Sequence, residues 1–277
     1  MILLFDVGNT HTHLGLANAR RVVRQLDLRT SAWSASRMAA RVARFVGRAP
    51  VDGAVLCSVV PRVTPRVHRL VRRRWGQPCL EFNAQTVVGI RVRYPRPETI
   101  GADRLANALA VRHKFGAPAV VVDFGTAVTF DVVDRAGHYV GGIIAPGLAA
   151  MTDYLHEKTA LLPRIRIREV SAVIGKNTEE AMLIGAVHGY RGLIRELVRE
   201  LKRELNCRRL PVVATGGYSR LIAAKLPEIT AVDPLLTLEG LRLAWQQQGS
   251  VPHNRMSTVP FGAPSASGTA NDVVMRD

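Results

Sequence analysis

Cysteine is scarce in this chain: Cys57, Cys79 and Cys207 are all that 277 residues contain, and no two of them form a Cys-x-x-Cys pair. An odd number of scattered thiols argues against a disulfide framework or a zinc site and fits a reducing, cytoplasmic setting. Aromatic residues make up 5% of the chain, too few for the interleaved stacking platforms that hold single-stranded nucleic acid. No apolar run approaches the roughly 20 residues that cross a bilayer. The N-terminus has no basic leader with an apolar segment and cleavage site, so neither a membrane nor secretion is expected. Two phosphate-binding signatures are also missing. There is no Gly-x-x-x-x-Gly-Lys-Ser/Thr, which excludes a P-loop, and no Gly-x-Gly-x-x-Gly to support a Rossmann dinucleotide site.

Lysine is rare too. Five lysines stand beside 33 arginines, and the net charge is +16. A balance this basic admits a nucleic-acid partner. Along 62–75, however, arginines alternate with Val63, Val67, Leu70 and Val71. That pattern describes a helix with an apolar inner face and a solvated outer one, so nucleic acid is not the expected partner.

What the chain does have is a phrase used twice, 117 residues apart: Asp6-Val-Gly-Asn-Thr10 and Asp123-Phe-Gly-Thr-Ala127. Each ends an apolar run, and each is followed by a second strand-like stretch. Asp-x-Gly is common in plain β-turns. Two copies with matching flanks imply instead a duplicated strand–turn–strand unit, able to grip one polyphosphate from both sides. The acid would hold a metal, and the turn would offer amides and hydroxyls to phosphate oxygens. Magnesium needs only one or two carboxylates besides phosphate oxygens. Gly8 and Gly125 admit close backbone approach, and Thr10 and Thr126 add hydroxyls.

The flanking pattern is α/β. Strands are expected at 2–6, 12–17, 22–28, 54–60, 79–82, 119–123, 128–134, 138–144 and 212–214. Helices are expected at 36–47, 62–75, 101–115, 151–160, 178–207, 219–226 and 235–248. Gly116-Ala-Pro118 marks a break, giving domains 1–115 and 116–248. Ser, Pro, Gly, Thr and Asn dominate 249–277, which reads as a disordered or loosely attached tail. Two further features carry chemistry. Thr215-Gly-Gly217 closes a late strand, where paired glycines let a base or ribose lie against backbone. Gly101-Ala-Asp103-Arg104 opens a helix. An Asp there is often a cap, but a carboxylate so placed also suits the base of a phosphoryl transfer, with Arg104 holding an anionic group.

Taken in order, Asp-Val-Gly-Asn-Thr at 6–10, Gly-Ala-Asp-Arg at 101–104, Asp-Phe-Gly-Thr-Ala at 123–127, Gly-Gly-Ile-Ile-Ala-Pro-Gly at 141–147, Gly-Lys-Asn-Thr at 175–178 and Thr-Gly-Gly at 215–217 resemble the type III pantothenate kinase family. The resemblance covers about 1–245. It implies two ribonuclease H-like domains of the actin-like ATPase superfamily with the active site in the cleft between them. It also implies ATP-dependent phosphorylation of pantothenate, the first step toward coenzyme A. The implied ATP site comprises Asp6, Val7, Gly8, Asn9, Thr10, His11, Thr12 and His13, with Thr126, Gly216 and Gly217. Asp103 would be the proton acceptor. Tyr94, Gly101, Ala102, Asp103, Arg104 and Thr178 would line the pantothenate site, Thr178 from the second subunit of a homodimer. Asp123 would bind a monovalent cation, potassium or ammonium, and Asp6 magnesium through water. Two other readings stay open: another small-molecule kinase of the superfamily, and a non-catalytic regulator related to the Bordetella accessory factor, for which the positive charge could serve nucleic acid.

Overall fold

The computed structural model describes residues 1–34 and 37–248; the tail expected at 249–277 lies outside the described residues. The first half runs β1 (Ile2–Val7), β2 (His11–Ala17), β3 (Val22–Arg29), α1 (Met38–Val46), β4 (Gly53–Ser58), α2 (Thr64–Trp75), β5 (Cys79–Glu81), β6 (Arg91–Val92) and α3 (Ala102–Phe115). The second runs β7 (Ala119–Phe124), β8 (Ala127–Val133), β9 (His138–Pro146), α4 (Leu148–Lys158), α5 (Thr178–Ile184), α6 (Tyr190–Glu204), β10 (Val212–Thr215), α7 (Ser219–Ala223), β11 (Ala231–Val232) and α8 (Leu236–Gln248).

The strands build two sheets, ordered β3-β2-β1-β4-β5 and β11-β10-β7-β8-β9-β6. In the first, β1 pairs antiparallel with β2 and parallel with β4. In the second, β7 pairs antiparallel with β8 and parallel with β10. The two sheets therefore share one plan: an antiparallel meander of three strands extended by two parallel ones. This is the ribonuclease H-like topology, present twice. Strands β1 and β7 are near-continuous apolar runs because each is central and covered on both faces. Their burial patterns match, and in each only the aspartate, Asp6 or Asp123, is less than fully buried.

Five layers result. Helices α1 and α2 cover the outer face of the first sheet through Val42, Val67 and Val71. The α2 helix carries Pro65 in its first turn and stops at Gly76, where φ is +67°, a C-terminal conformation glycine adopts without strain. Its last turn holds Arg72, Arg73 and Arg74, cations placed at the negative end of the helix dipole. The inner faces of both sheets share one core with α3 and α8, through Leu4, Leu105, Leu109, Val121, Val213 and Leu241. Helix α3 is apolar on nearly every side because it lies between the sheets. On the far face, Ile194 and Val198 of α6 pack on Val120 and Val122.

Most expected elements appear within a few residues of their expected ends. The helix expected at 178–207 is interrupted by a π turn at Gly185–Gly189, bounded by two glycines and separating α5 from α6. Strands β6 and β11 were not legible, since two residues cannot display alternation. Strand β6 joins the second sheet beside β9, although it precedes the break at 116. Helix α4 begins at Leu148 rather than 151, directly after Pro146 ends β9.

The inner layer is tight where α8 crosses α3. A Cβ on Gly240 would overlap the carbonyl oxygen of Ala106. Gly240→Ala is expected to destabilise the protein by about 2 kcal/mol, seen as a lower melting temperature. An unchanged melting curve would show that the two helices have room to part.

Candidate active site

The acids of both turns line one cleft. A cavity of about 210 Å³ is lined by Asp6 and His13 from the first sheet and by Asp123, Thr215, Gly216 and Gly217 from the second. A larger hollow of about 480 Å³ lies at the opposite end of β1, around Met1, Ala17 and Trp245, and has neither turn. The turns themselves touch: the hydroxyls of Thr10 and Thr126 share a hydrogen bond of 3.0 Å.

The two turns are built alike. The Gly8 amide donates to the His11 carbonyl (2.9 Å), and the Gly125 amide to that of Ala127 (3.1 Å). The glycine amides thus close the turns. The amides of Asn9, Thr10 and Thr126 have no acceptor among the described residues, and these remain for a ligand. Each turn is braced from behind. Thr30 donates its amide to the Thr10 carbonyl (2.9 Å) and its hydroxyl to that of Gly8 (2.7 Å). Gly147 donates its amide to the Thr126 carbonyl at 3.2 Å, and a Cβ at 147 would overlap that oxygen.

Asp6 sits opposite His13 on β2 and Cys57 on β4, and the Cys57 thiol donates to its Oδ1 at 3.2 Å. The Asp123 Oδ2 accepts from Asn107 Nδ2 at 3.1 Å. Asn107 is fully buried, and its own oxygen accepts from the Thr237 hydroxyl at 2.8 Å. Helices α3 and α8 therefore both orient the second acid. Gly216 has φ +83°, and a Cβ there would overlap Asp123 Oδ1, which explains the glycine after Thr215.

Burial dominates the electrostatics. It lifts the Asp6 carboxyl to about 6, opposed by His13 and reinforced by Asp103. It lifts Asp123 to about 7, reinforced by Asp103 and opposed by Asn107. Asp103 is also raised, by burial first, while the Arg104 amide and charge oppose the rise. Asp6 and Asp123 thus share one cavity and both feel the charge of Asp103, which suits the site to cations and to metal-bound phosphates. His13 is raised because Asp6 and Asp27 outweigh its burial. Its Nδ1 lies 2.7 Å from Asp27 Oδ1.

Asp103 lies in the first turn of α3. Beside it, Arg104 is held by Asp131 through Nε (2.6 Å) and by the Phe130 carbonyl through Nη2 (3.3 Å). Its guanidinium lies 5.9 Å from the Tyr139 ring centre, and Tyr94 tilts against Tyr139 with ring centres 6.5 Å apart. Gly101, Ala102, Asp103, Arg104 and Tyr94 are thus contiguous. Other expected residues fare differently. The Thr12 hydroxyl is fully buried and bonded to Thr30 and to the Trp33 indole. Val7 is buried as well, while Asn9, Thr10 and His11 are exposed. Thr178 is exposed at the start of α5, and no hydrogen bond joins it to the cleft among the described residues. Asn107, Asp131 and Thr237 were not singled out by sequence. The available signal was a polar residue inside an apolar helix or strand.

The family model for type III pantothenate kinase matches residues 2–200. The chain belongs to the type III pantothenate kinase family. A type III pantothenate kinase of Methylacidiphilum infernorum is 44% identical over 243 residues, covering 87% of each chain. One from Akkermansia muciniphila is 45% identical over 242 residues, covering 87% of this chain and 97% of its own. A solved structure from Campylobacter jejuni, described as a Baf family transcriptional activator, aligns with a TM-score of 0.58 at 16% identity, over 90% of this chain and 100% of that one; that likeness concerns the fold alone. Members of the kinase family transfer a phosphoryl group to the hydroxyl of pantothenate. No described helix is long and apolar enough to cross a membrane.

The raised carboxyls have a consequence for stability. Unfolded, Asp123 titrates near 3.8; folded, at about 7. Between those values the folded kinase holds the proton more tightly than the unfolded chain does, so stability falls as pH rises and the full penalty applies above the folded value. Asp123→Asn, which removes the charge, is expected to be more stable than the parent by about 2 kcal/mol at about pH 8. The gap should close toward about pH 4. Thermal melts without added cations or nucleotide check this, and a gap independent of pH would contradict it.

Proposed function

We propose that this kinase phosphorylates pantothenate from ATP, with the triphosphate lying between the two turns and the acceptor hydroxyl facing Asp103. Two observations carry the reading: the hydroxyls of Thr10 and Thr126 meet, and Asp6 and Asp123, the acids that lead into those turns, line one cavity. The free amides of Asn9, Thr10 and Thr126 and the two hydroxyls would hold phosphate oxygens, with His11 and His13 at the rim of the first turn. Gly216 and Gly217 would face the nucleoside. Asp103, raised by burial, takes the acceptor proton as the hydroxyl oxygen bonds to the γ-phosphorus and the bond from that phosphorus to the bridging oxygen breaks, releasing ADP. Arg104 and Tyr94 receive the rest of pantothenate, Arg104 its carboxylate.

Asp6 fits magnesium through water, as a buried acid at the floor of the cleft; the bound ion would supply neutralisation of the phosphate charge. Asp123 fits a monovalent cation, having one carboxylate oxygen held by Asn107 and the other against Gly216. We assign units 1–115 and 116–248 as the two domains, with β6 joining the second sheet and α8 packed on the first. The functional form is a cytoplasmic homodimer. Met182 and Ala186 of the 178–207 stretch are buried, and Leu193, Leu197 and Leu201 pack on the second sheet's core, so they supply no free dimer face. Exposed Ile144, Tyr154, Leu161, Val173 and Ile174 are a better one. They flank the segment leading to Thr178, which would reach the partner's substrate.

A coupled assay of ATP consumption with pantothenate, with glucose and with no acceptor separates the readings. Consumption is expected only with pantothenate. Turnover with glucose alone would favour another kinase of the superfamily, and salt-dependent DNA binding without turnover would favour the regulator. Asp103→Asn should bind ATP normally and lose at least about 100-fold in kcat. Undiminished turnover would remove Asp103 as the base. Potassium or ammonium should activate the parent, and Asp123→Ala should abolish that response. Equal parent rates in sodium and potassium buffers would refute the cation site.

A further inference from the structure

Asp131 lies on β8 with no solvent exposure, among the buried apolar residues Val128, Phe130 and Val133 of the same strand. A carboxylate in that position is costly unless a cation answers it. Here the answer is Arg104, through a single contact from Nε to Oδ1 at 2.6 Å, while Oδ2 has no partner among the described residues. Burial pushes the Asp131 carboxyl up to about 7, and Arg104 opposes the rise. Arg104 itself is only 13% exposed. Its guanidinium plane is set by three fixed groups: Asp131 at Nε, the Phe130 carbonyl at Nη2, and the Tyr139 ring at 5.9 Å. Its remaining N–H groups meet no protein acceptor among the described residues. Space for the guanidinium comes from Gly142, where a Cβ would lie 2.7 Å from Nη2 and overlap the Phe130 oxygen. Carboxylate, glycine and carbonyl together hold one edge of the fork and leave the other free. A planar donor fork fixed in this way recognises a carboxylate with little ordering cost.

We propose that Asp131 is a positioning residue for substrate recognition: it anchors the Nε edge of Arg104 so that the opposite edge meets the carboxylate of the acceptor substrate. The assignment rests on Arg104 holding the pantothenate carboxylate. Two opposed effects are at work, because Asp131 also dilutes the positive charge of Arg104. Positioning outweighs dilution: an unanchored arginine has a long, mobile stem, and its fork would have to be ordered at each binding event.

The test is steady-state kinetics of the parent, Asp131→Asn, Arg104→Ala and the double variant, with pantothenate and with an analogue bearing a neutral alcohol in place of the carboxylate. Asp131→Asn is expected to raise the KM for pantothenate by about tenfold or more, to change kcat and the KM for ATP by less than about threefold, and to narrow the parent's preference for pantothenate over the alcohol. The double variant should be no worse than Arg104→Ala, because both changes remove one interaction. A KM that falls shows that dilution wins and overturns the proposal. So does a loss shared equally by kcat and the ATP KM, or a fully additive double variant. Should Asp131→Asn not fold, Asp131→Ser, smaller and uncharged, carries the same expectations. If the parent itself ignores pantothenate, the reading of the site fails; if the parent turns over and Asp131→Asn matches it, the positioning role alone fails.

Discussion

Everything in this molecule answers to one constraint: two half-buried carboxylates, Asp6 and Asp123, must line one cleft that neutralises neither. His13 offsets Asp6 in part, and Asn107 offers Asp123 one neutral hydrogen bond. Asp103 adds a third charge of the same sign. A folded chain tolerates such a cluster only if its scaffold is over-determined elsewhere. The central strands supply that rigidity. They are apolar up to the residue before each acid, and they bury both faces.

Duplication explains how one cleft arises from two turns. Each sheet delivers an acid at the end of its first strand and a closed turn just beyond it, braced by a residue from a distant segment, Thr30 in one case and Gly147 in the other. Placing α3 and α8 between the sheets sets the turns face to face, until Thr10 and Thr126 touch. The same packing brings the N-terminus of α3, with Asp103 and Arg104, to that end of the sheets. Structure and chemistry therefore share one element. The helix that separates the sheets carries Asp103 in its first turn and, one turn further on, the Asn107 that steadies Asp123.

Much of this was legible because duplication leaves a sequence signature. The Asp-x-Gly phrase with its apolar lead-in located both turns; the glycines after Thr215 read as room for a base or ribose, and the approach of Asp123 to Gly216 was not foreseen. What stayed hidden depends on contacts distant in sequence. Asn107 looks like one polar residue in an apolar helix, and only the fold shows Asp123 on one side of it and Thr237 on the other. Asp131 looks like an interruption in a strand until Arg104 is seen to reach it. Thr12 is implied as an ATP contact by the family resemblance, yet its hydroxyl is already bonded to Thr30 and Trp33. The helical break at Gly185–Gly189 was likewise invisible to an apolar period that continues through it.

A crystal structure with a non-hydrolysable ATP analogue and pantothenate tests the central claim most directly. The account predicts phosphate oxygens bridging the amides of Asn9, Thr10 and Thr126, with the acceptor hydroxyl about 3 Å from the Asp103 carboxylate. Phosphates bound outside the space between the two turns, or a hydroxyl out of reach of Asp103, would contradict it.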